Sequence, residues 1–216
     1  MRLSLMLMKL MEGMGKSVGI FFWTLVFSLP LGLLVSFGRM SKNRLLRTVV
    51  KLYISVMRGT PLMLQLLVVY FGPYYLFGMN IGGNYRFIAI IIGFSVNYAA
   101  YFAEIYRSGI ESMPVGQYEA AKVLGYSRKA TFFKIIFPQV IKRILPAVTN
   151  EVITLVKDTS LSFALAYAEM FTLAKQIAAS ETSFMPFVGA AIFYYVFNLI
   201  VAVVMEQIEK ALSYYQ

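Results

Sequence analysis

Four polar side chains lie within apolar stretches of the sequence, where ionisable groups are rare: Arg58, Asn97, Glu151 and Asp158. A charge at the centre of a bilayer costs about 2.5–3.5 kcal/mol on insertion scales, so such residues usually pair or line a wet cavity. An arginine binds a carboxylate, and an acidic side chain binds an ammonium group. These residues therefore favour a path for a zwitterion. Alternatively, Arg58 and Asp158 could neutralise each other or charges of other helices, and Asn97 could form a hydrogen bond between helices.

The segment 58–61, Arg-Gly-Thr-Pro, interrupts an apolar run and predicts a broken helix, because proline cannot donate a backbone hydrogen bond. Backbone N–H groups freed at such a break can bind a carboxylate. Ser55 lies one turn earlier. The complete candidate substrate path consists of Ser55, Arg58, Gly59, Thr60, Asn97, Glu151 and Asp158.

Several kinds of chemistry are opposed by the composition. The chain contains no histidine and no cysteine, so the commonest general base and the thiolate metal ligands are missing. A membrane enzyme would have to rely on serine, lysine or carboxylates, and no paired catalytic constellation is present. No GxxxxGK[ST] phosphate loop occurs either. We therefore expect no catalytic residues, metal or cofactor in this chain.

The elements that position these residues are apolar helices. The 216 residues are 59% hydrophobic and 14% charged, with a mean hydropathy of +0.70. Such a composition predicts an all-α integral membrane protein with a single domain, residues 1–216. Residues 1–16, interrupted by charge, are expected to lie at the membrane interface. Five membrane spans are predicted: residues 17–38, 52–77, 87–106, a charged span starting near Pro138, and 186–205.

The basic residues predict the orientation. A net charge of +10 could suggest nucleic acid, but the cations lie between apolar runs, as expected for cytoplasmic loops of a membrane protein. Residues 39–51 and 107–134 are the two basic clusters, whereas the loops on the other side carry the single cations Arg86 and Lys175. The N-terminus is therefore expected outside and the C-terminus in the cytoplasm, although Arg2, Lys9 and Lys16 argue mildly against this.

The loop at residues 116–138 is typical of two short helices. The first should run over residues 117–124, and Gly125 is suited to a left-handed C-terminal cap. Ser127 is suited to capping the second helix, which Pro138 should stop or separate from the next element. A short helix projecting from the membrane could enter a groove on a soluble partner, or this could be an ordinary basic loop.

The Glu119-Ala120-Ala121 triplet, Gly125 six residues after the glutamate, and the Pro138-ended tail resemble the EAA loop of binding-protein-dependent ABC importer permeases. Phe137 replaces the usual leucine. Residues 55–62, 97–107 and 150–161 also resemble the polar amino-acid branch, so the similarity covers most of residues 40–180. It implies the five-helix type I ABC importer permease arrangement, with a cytoplasmic coupling helix between spans 3 and 4 that carries Glu119, Ala120, Ala121 and Gly125.

This resemblance also implies partners. They are a second, identical or different permease subunit, a cytoplasmic ATPase dimer that binds ATP and Mg, an external solute-binding protein and a polar amino acid, in a bacterial plasma membrane. Carriers of basic amino acids in this branch often have Glu where this chain has Ser55, which favours an uncharged cargo such as glutamine or a cystine-like solute. The alternatives are a permease for another small solute and a channel or scaffold without ATP coupling. Glu104 and Arg107 are expected to form an ion pair at the cytoplasmic mouth.

Overall fold

A computed structural model describes residues 3–80, 82–83 and 85–212, and within these ranges the chain is helical without strands. Its nine α-helices are α1 (Leu3–Arg39), α2 (Arg44–Gly59), α3 (Leu62–Phe77), α4 (Tyr85–Glu111), α5 (Val115–Val123), α6 (Arg128–Thr131), α7 (Phe137–Asp158), α8 (Met170–Glu181) and α9 (Met185–Leu212). A π-helical segment, Phe132–Ile136, joins α6 to α7, and a 3₁₀ segment, Thr159–Leu165, follows α7.

The centre of the fold is the packing of α1 against α4. The buried side of α1 is a stripe of mostly small residues: Gly13, Ser17, Ile20, Thr24, Ser28, Gly32 and Ser36. Small residues let helix backbones approach closely in a membrane. At Gly32 the approach is so close that an added Cβ would lie 2.8 Å from the Cβ of Phe102.

The long helices alternate in direction. Helices α1 and α9 run parallel to each other. Leu10 packs on Gly189 near the start of both helices, and further along both helices the ring centroids of Phe21 and Phe197 lie 5.3 Å apart. Consequently, the two ends of the described chain lie at opposite ends of the bundle.

In chain order, α3 and α7 alternate with α1, α4 and α9, and both run antiparallel to α4. Near the start of α4, Tyr85 donates a hydrogen bond to the carbonyl of Val69 in α3 (3.0 Å). Near its middle, the Tyr98 hydroxyl reaches Asp158 at the end of α7, and Gly109 near its end packs on Ile144.

Within the described residues, three helices are long and apolar enough to cross a membrane: α1, α4 and α9. A fourth crossing arises if α2 and α3, which meet at an angle of 111°, form one broken span. The remaining expected span is α7, the fourth in chain order. It carries too many charges to qualify by composition, so the count of five spans stays a prediction.

Two sequence-based boundaries were wrong. Residues 3–16 do not form a separate element, because α1 continues unbroken through residue 17; whether they lie at the interface stays a prediction, and residues 1–2 fall outside the described part. Lys175, expected in a loop, lies on α8.

Helix α8 is held at its start by the buried Glu169. This carboxylate accepts hydrogen bonds from the Phe171 and Thr172 N–H groups (both 2.7 Å), from Tyr194 of α9 (3.1 Å) and from Ser17 of α1 (3.4 Å). It thereby joins three helices at one point.

Candidate functional site

The break between α2 and α3 occurs where the sequence predicted it, at Thr60 and Pro61. Its free carbonyl groups are bound by a residue that the sequence analysis missed. The Gln65 amide donates to the carbonyls of Met57 (3.0 Å) and Thr60 (3.1 Å) and to the Thr60 hydroxyl (2.7 Å). This side chain therefore holds the bend in place.

Asn97 locks the same bend to α4. Its amide donates to the Met57 carbonyl (3.0 Å) and to the side-chain oxygen of Gln65 (2.9 Å), and the residue is buried. The expected hydrogen bond between helices is thus confirmed. Gly59 and Thr60 belong to this hinge as well.

Replacing Gln65 with Leu should destabilise the chain by about 1–3 kcal/mol, because it leaves carbonyl groups and the Asn97 amide without partners. The measurement is thermal unfolding of the purified protein in detergent. The matched control is Gln176→Leu, an exposed glutamine on α8. Equal decreases in unfolding temperature for the two variants would contradict the role of Gln65 in holding the bend.

A cleft of about 490 Å³ opens between α2, α4 and α7. Arg58 comes from α2 and Glu151 from α7, while α4 contributes most of the remaining wall. The lining also includes Tyr101, Glu104, Arg107, Ser108, Ser112 and Arg143. This volume lies within the range of small-molecule sites, roughly 300–1,000 Å³.

The charges of this cleft fall into two groups. Glu104 is paired with Arg107 (2.6 Å) and with Arg39 (3.6 Å), which confirms the expected Glu104–Arg107 ion pair. In contrast, Arg58 and Glu151 form no ion pair with the other residues that the structure describes. The Arg58 guanidinium lies over the Tyr101 ring, 5.2 Å from its centroid. Arg58 and Glu151 thus face the cleft from different helices, while Arg143 of α7, which also lines the cleft, donates a hydrogen bond to the Ser112 carbonyl (3.1 Å).

Asp158 and Ser55 lie elsewhere. Asp158 accepts a hydrogen bond from Tyr98 (2.7 Å), and among the described residues it forms no ion pair with Arg58. Ser55 is exposed on α2 and does not line the cleft. Of the seven candidate path residues, the structure brings Arg58 and Glu151 together at the cleft and places Gly59, Thr60 and Asn97 at the adjacent hinge.

At the other candidate site, α5 projects from the bundle. Ala121 is its only buried residue and therefore serves internal packing, whereas Glu119 and Ala120 are exposed. Val123 and Leu124 are 86% and 74% exposed. A reciprocal pair of amide hydrogen bonds between Gln117 and Gln139 (2.9 and 3.0 Å) ties α5 to α7.

The turn after α5 has the expected left-handed residue, since Gly125 has φ = 78°. Its N–H bonds to the Lys122 carbonyl, and the Tyr126 N–H bonds to the Ala121 carbonyl, both at 3.0 Å. This pattern is a Schellman motif. The Ser127 hydroxyl caps α6 by accepting from the Ala130 N–H (3.2 Å), as predicted.

Pro138 marks the start of the next element, which is one of the two outcomes that the sequence predicted. It lies in the first turn of α7, directly after the π-helical turn Phe132–Ile136. A π-bulge takes up the backbone irregularity that the missing proline N–H would cause.

A bundle of apolar helices around a charged cleft, with a short helix projecting from it, defines a membrane transport subunit. Residues 28–214 match the family described as binding-protein-dependent transport system inner membrane component, and the chain belongs to this family. It is therefore a multi-pass protein of the inner membrane.

Individual relatives agree with this assignment. A putative glutamine transport system permease protein of Rickettsia bellii is 37% identical, over 87% of this chain and 85% of its own length. An L-cystine transport system permease protein of Bacillus subtilis is 36% identical, over 88% and 80%. A solved structure described as an amino acid ABC transporter with histidines superposes with a TM-score of 0.84 at 32% identity, covering 94% of each chain.

Proposed function

We propose that this chain forms the translocation path of an ATP-driven importer for polar amino acids. The observation that carries the proposal is the cleft, where Arg58 and Glu151 face the same space without an ion-pair partner in the described chain. The relatives are named for glutamine and cystine transport, and the similar structure for an amino acid transporter.

In this proposal, Arg58 binds the carboxylate of the cargo and Glu151 binds its ammonium group. Glu151 is partly buried, so its charge interacts more strongly with a cargo than it would in water. The bend at Gly59 and Thr60 lies directly after Arg58, so movement of α2 relative to α3 would reposition the guanidinium. Such a bend is suited to opening and closing a path.

Coupling to ATP is assigned to α5. The helix exposes Val123 and Leu124 beside charged residues, and an apolar surface of this kind fits a groove on a soluble protein. The proposed partner is a cytoplasmic ATPase dimer, which would bind ATP and Mg, since this sequence has no GxxxxGK[ST] loop. Glu119, Ala120 and Gly125 form the part that contacts the ATPase. The Gln117–Gln139 pair transmits the movement of α5 to α7, which carries Glu151.

We further propose five spans, namely α1, the broken pair α2–α3, α4, α7 and α9. Their alternating directions support this count, and α7 can carry its charges because Glu151 and Arg143 line the cleft. The basic clusters support a cytoplasmic location for the ends of α1 and α4, with the N-terminus outside. A second permease subunit and an external solute-binding protein complete the importer.

The test is uptake of labelled glutamine by vesicles containing the full complex, competed by unlabelled amino acids. We expect competition by glutamine or cystine and weak competition by arginine, since Ser55 supplies no carboxylate for a basic side chain. Preferred competition by arginine would overturn the cargo preference alone. Entry of the label without ATP, up to equal concentrations on both sides of the membrane, would favour a channel and overturn the importer.

A further inference from the structure

A second cavity, of about 490 Å³, lies at the opposite end of α4 from the coupling helix. It is lined by Lys16, Gly83, Arg86, Phe87, Ala166, Tyr167 and Ala168. Two cations and no acidic residue are among these. Lys16 has a weak, exposed ion pair with Glu12 (3.5 Å), which lies outside the lining.

Arg86 is held in place but is not fully bonded. One of its terminal nitrogens donates to the Ala166 carbonyl (3.2 Å), and the guanidinium lies 5.9 Å from the centroid of the Tyr70 ring. Its Nε is buried and has no hydrogen-bond partner in the described chain. Arg86 and Lys16 therefore offer positive charge to an anion in this cavity.

A long apolar groove continues from this cavity along α1 and α4. Its lining is Trp23, Phe27, Phe87, Ile88, Ile91, Ile92, Ser95 and Val96, apolar apart from Ser95. Phe87 lines both spaces, so the groove begins where the cationic cavity ends. Trp23 and Ile88 are exposed along it.

The dimensions and the sequence context fit one leaflet of a bilayer. Lys16 directly precedes the apolar part of α1, and Arg86 directly precedes that of α4, so both cations mark the same membrane boundary. From Arg86 to Val96 the helix advances about 15 Å at 1.5 Å per residue. That depth is half of a hydrocarbon core of about 30 Å.

We propose that the cavity and the groove together bind one anionic phospholipid, with its phosphate at Lys16 and Arg86 and an acyl chain along Trp23 and Phe27. An anionic headgroup is favoured because the lining offers positive charge with no carboxylate to repel it. A lipid is favoured over a free anion because the same wall, at Phe87, continues into an apolar groove of acyl-chain depth.

The test uses the single tryptophan of this chain, Trp23, as a reporter. The full chain is reconstituted in phosphatidylcholine vesicles containing a small fraction of lipid with brominated acyl chains, which quench tryptophan on contact. Brominated phosphatidylglycerol is compared with brominated phosphatidylcholine at equal mole fraction. If the intact importer is used, a complex with Trp23→Phe gives the tryptophan fluorescence of the partner chains, which is subtracted as background.

We expect phosphatidylglycerol to be enriched at Trp23 by roughly 5–25-fold, because each of the two cations near a membrane surface provides about fivefold. Lys16→Gln with Arg86→Gln should reduce this preference to parity, whereas Arg86→Lys should keep most of it. The matched control, Arg47→Gln with Lys51→Gln, removes two exposed cations of α2 far from the cavity and should change nothing.

Equal quenching by the two lipids in the unmodified chain would overturn the proposal without any variant. Quenching by neither lipid would show that protein, such as a second copy of the chain, covers the groove, and would also overturn it. Loss of the preference on adding inorganic phosphate would indicate a free-phosphate site instead. None of these outcomes depends on which cargo the protein carries.

Discussion

The variant Gly125→Asp is expected to reduce transport to background and to abolish stimulation of the ATPase, while the chain still reaches the membrane. Gly125 has φ = 78°, a left-handed backbone conformation that favours glycine over residues with a Cβ. Both hydrogen bonds of the Schellman turn depend on that conformation, and the turn sets where α5 ends and where α6 begins. The loop lies outside the apolar helices, so insertion into the membrane should not change.

The matched control is Gly116→Asp, which adds the same carboxylate to the same short helix. Gly116 also has no atoms near its missing Cβ, but it has an ordinary helical φ. An acidic residue in the first turn of a helix is favourable. Uptake and ATPase activity are measured in reconstituted vesicles, with membrane content checked by immunoblotting. Equal losses in both variants, or normal uptake in Gly125→Asp, would contradict the role of the turn.

Local patterns of the sequence predicted the features that are themselves local. Gly125, Ser127 and the break after Gly59 each depend on neighbours within about five residues, so residue type and spacing were sufficient. The Glu104–Arg107 pair is of the same kind, because side chains three residues apart on a helix face each other. All four are present in the structure.

Features that depend on distant neighbours were missed. The carbonyl groups at the bend are bound by Gln65, which looks like an unremarkable polar residue in an apolar helix. Helix α8 was missed because its N-cap, Glu169, is not a preferred capping residue, and because its burial depends on Ser17 and Tyr194 from other helices. Its signal in the sequence was a lone glutamate at the start of a 12-residue stretch of good helix formers.

The candidate path residues do not all lie together in the structure, for a related reason. Polarity within an apolar run identified Asp158 together with Glu151, but it does not distinguish a carboxylate that faces a cleft from one that binds a neighbouring tyrosine. That distinction depends on the rotation of α7 about its axis. The structure assigns Asp158 to Tyr98 and Glu151 to the cleft wall.

The second large effect is expected for Glu151→Gln, which keeps the shape of the side chain and removes its charge. If Glu151 binds the ammonium group of the cargo, losing a hydrogen bond to a charged group costs about 1.5–3 kcal/mol, or roughly 10–100-fold in affinity. Binding of labelled glutamine to the permease–ATPase complex is measured by equilibrium dialysis without the external solute-binding protein, so that the selectivity of that protein does not enter. Lys157→Gln, an exposed charge on the same helix, is the matched control and should bind normally.

A pair of modified cargoes separates contact from a general electrostatic effect. Acetylation of the amino group removes the ammonium charge, so it should weaken binding strongly in the unmodified protein and only slightly in Glu151→Gln, because the interaction is already lost. Conversion of the cargo carboxylate to an amide should weaken binding strongly in the unmodified protein and in Glu151→Gln. In Arg58→Gln it should weaken binding only slightly, because the interaction with the carboxylate is already lost. Crossed results, in which each variant responds to the wrong modification, would mean that the cargo lies in the opposite orientation. If both modifications weaken binding equally in all variants, Arg58 and Glu151 do not touch the cargo, and the charged cleft serves only to hold α2, α4 and α7 together.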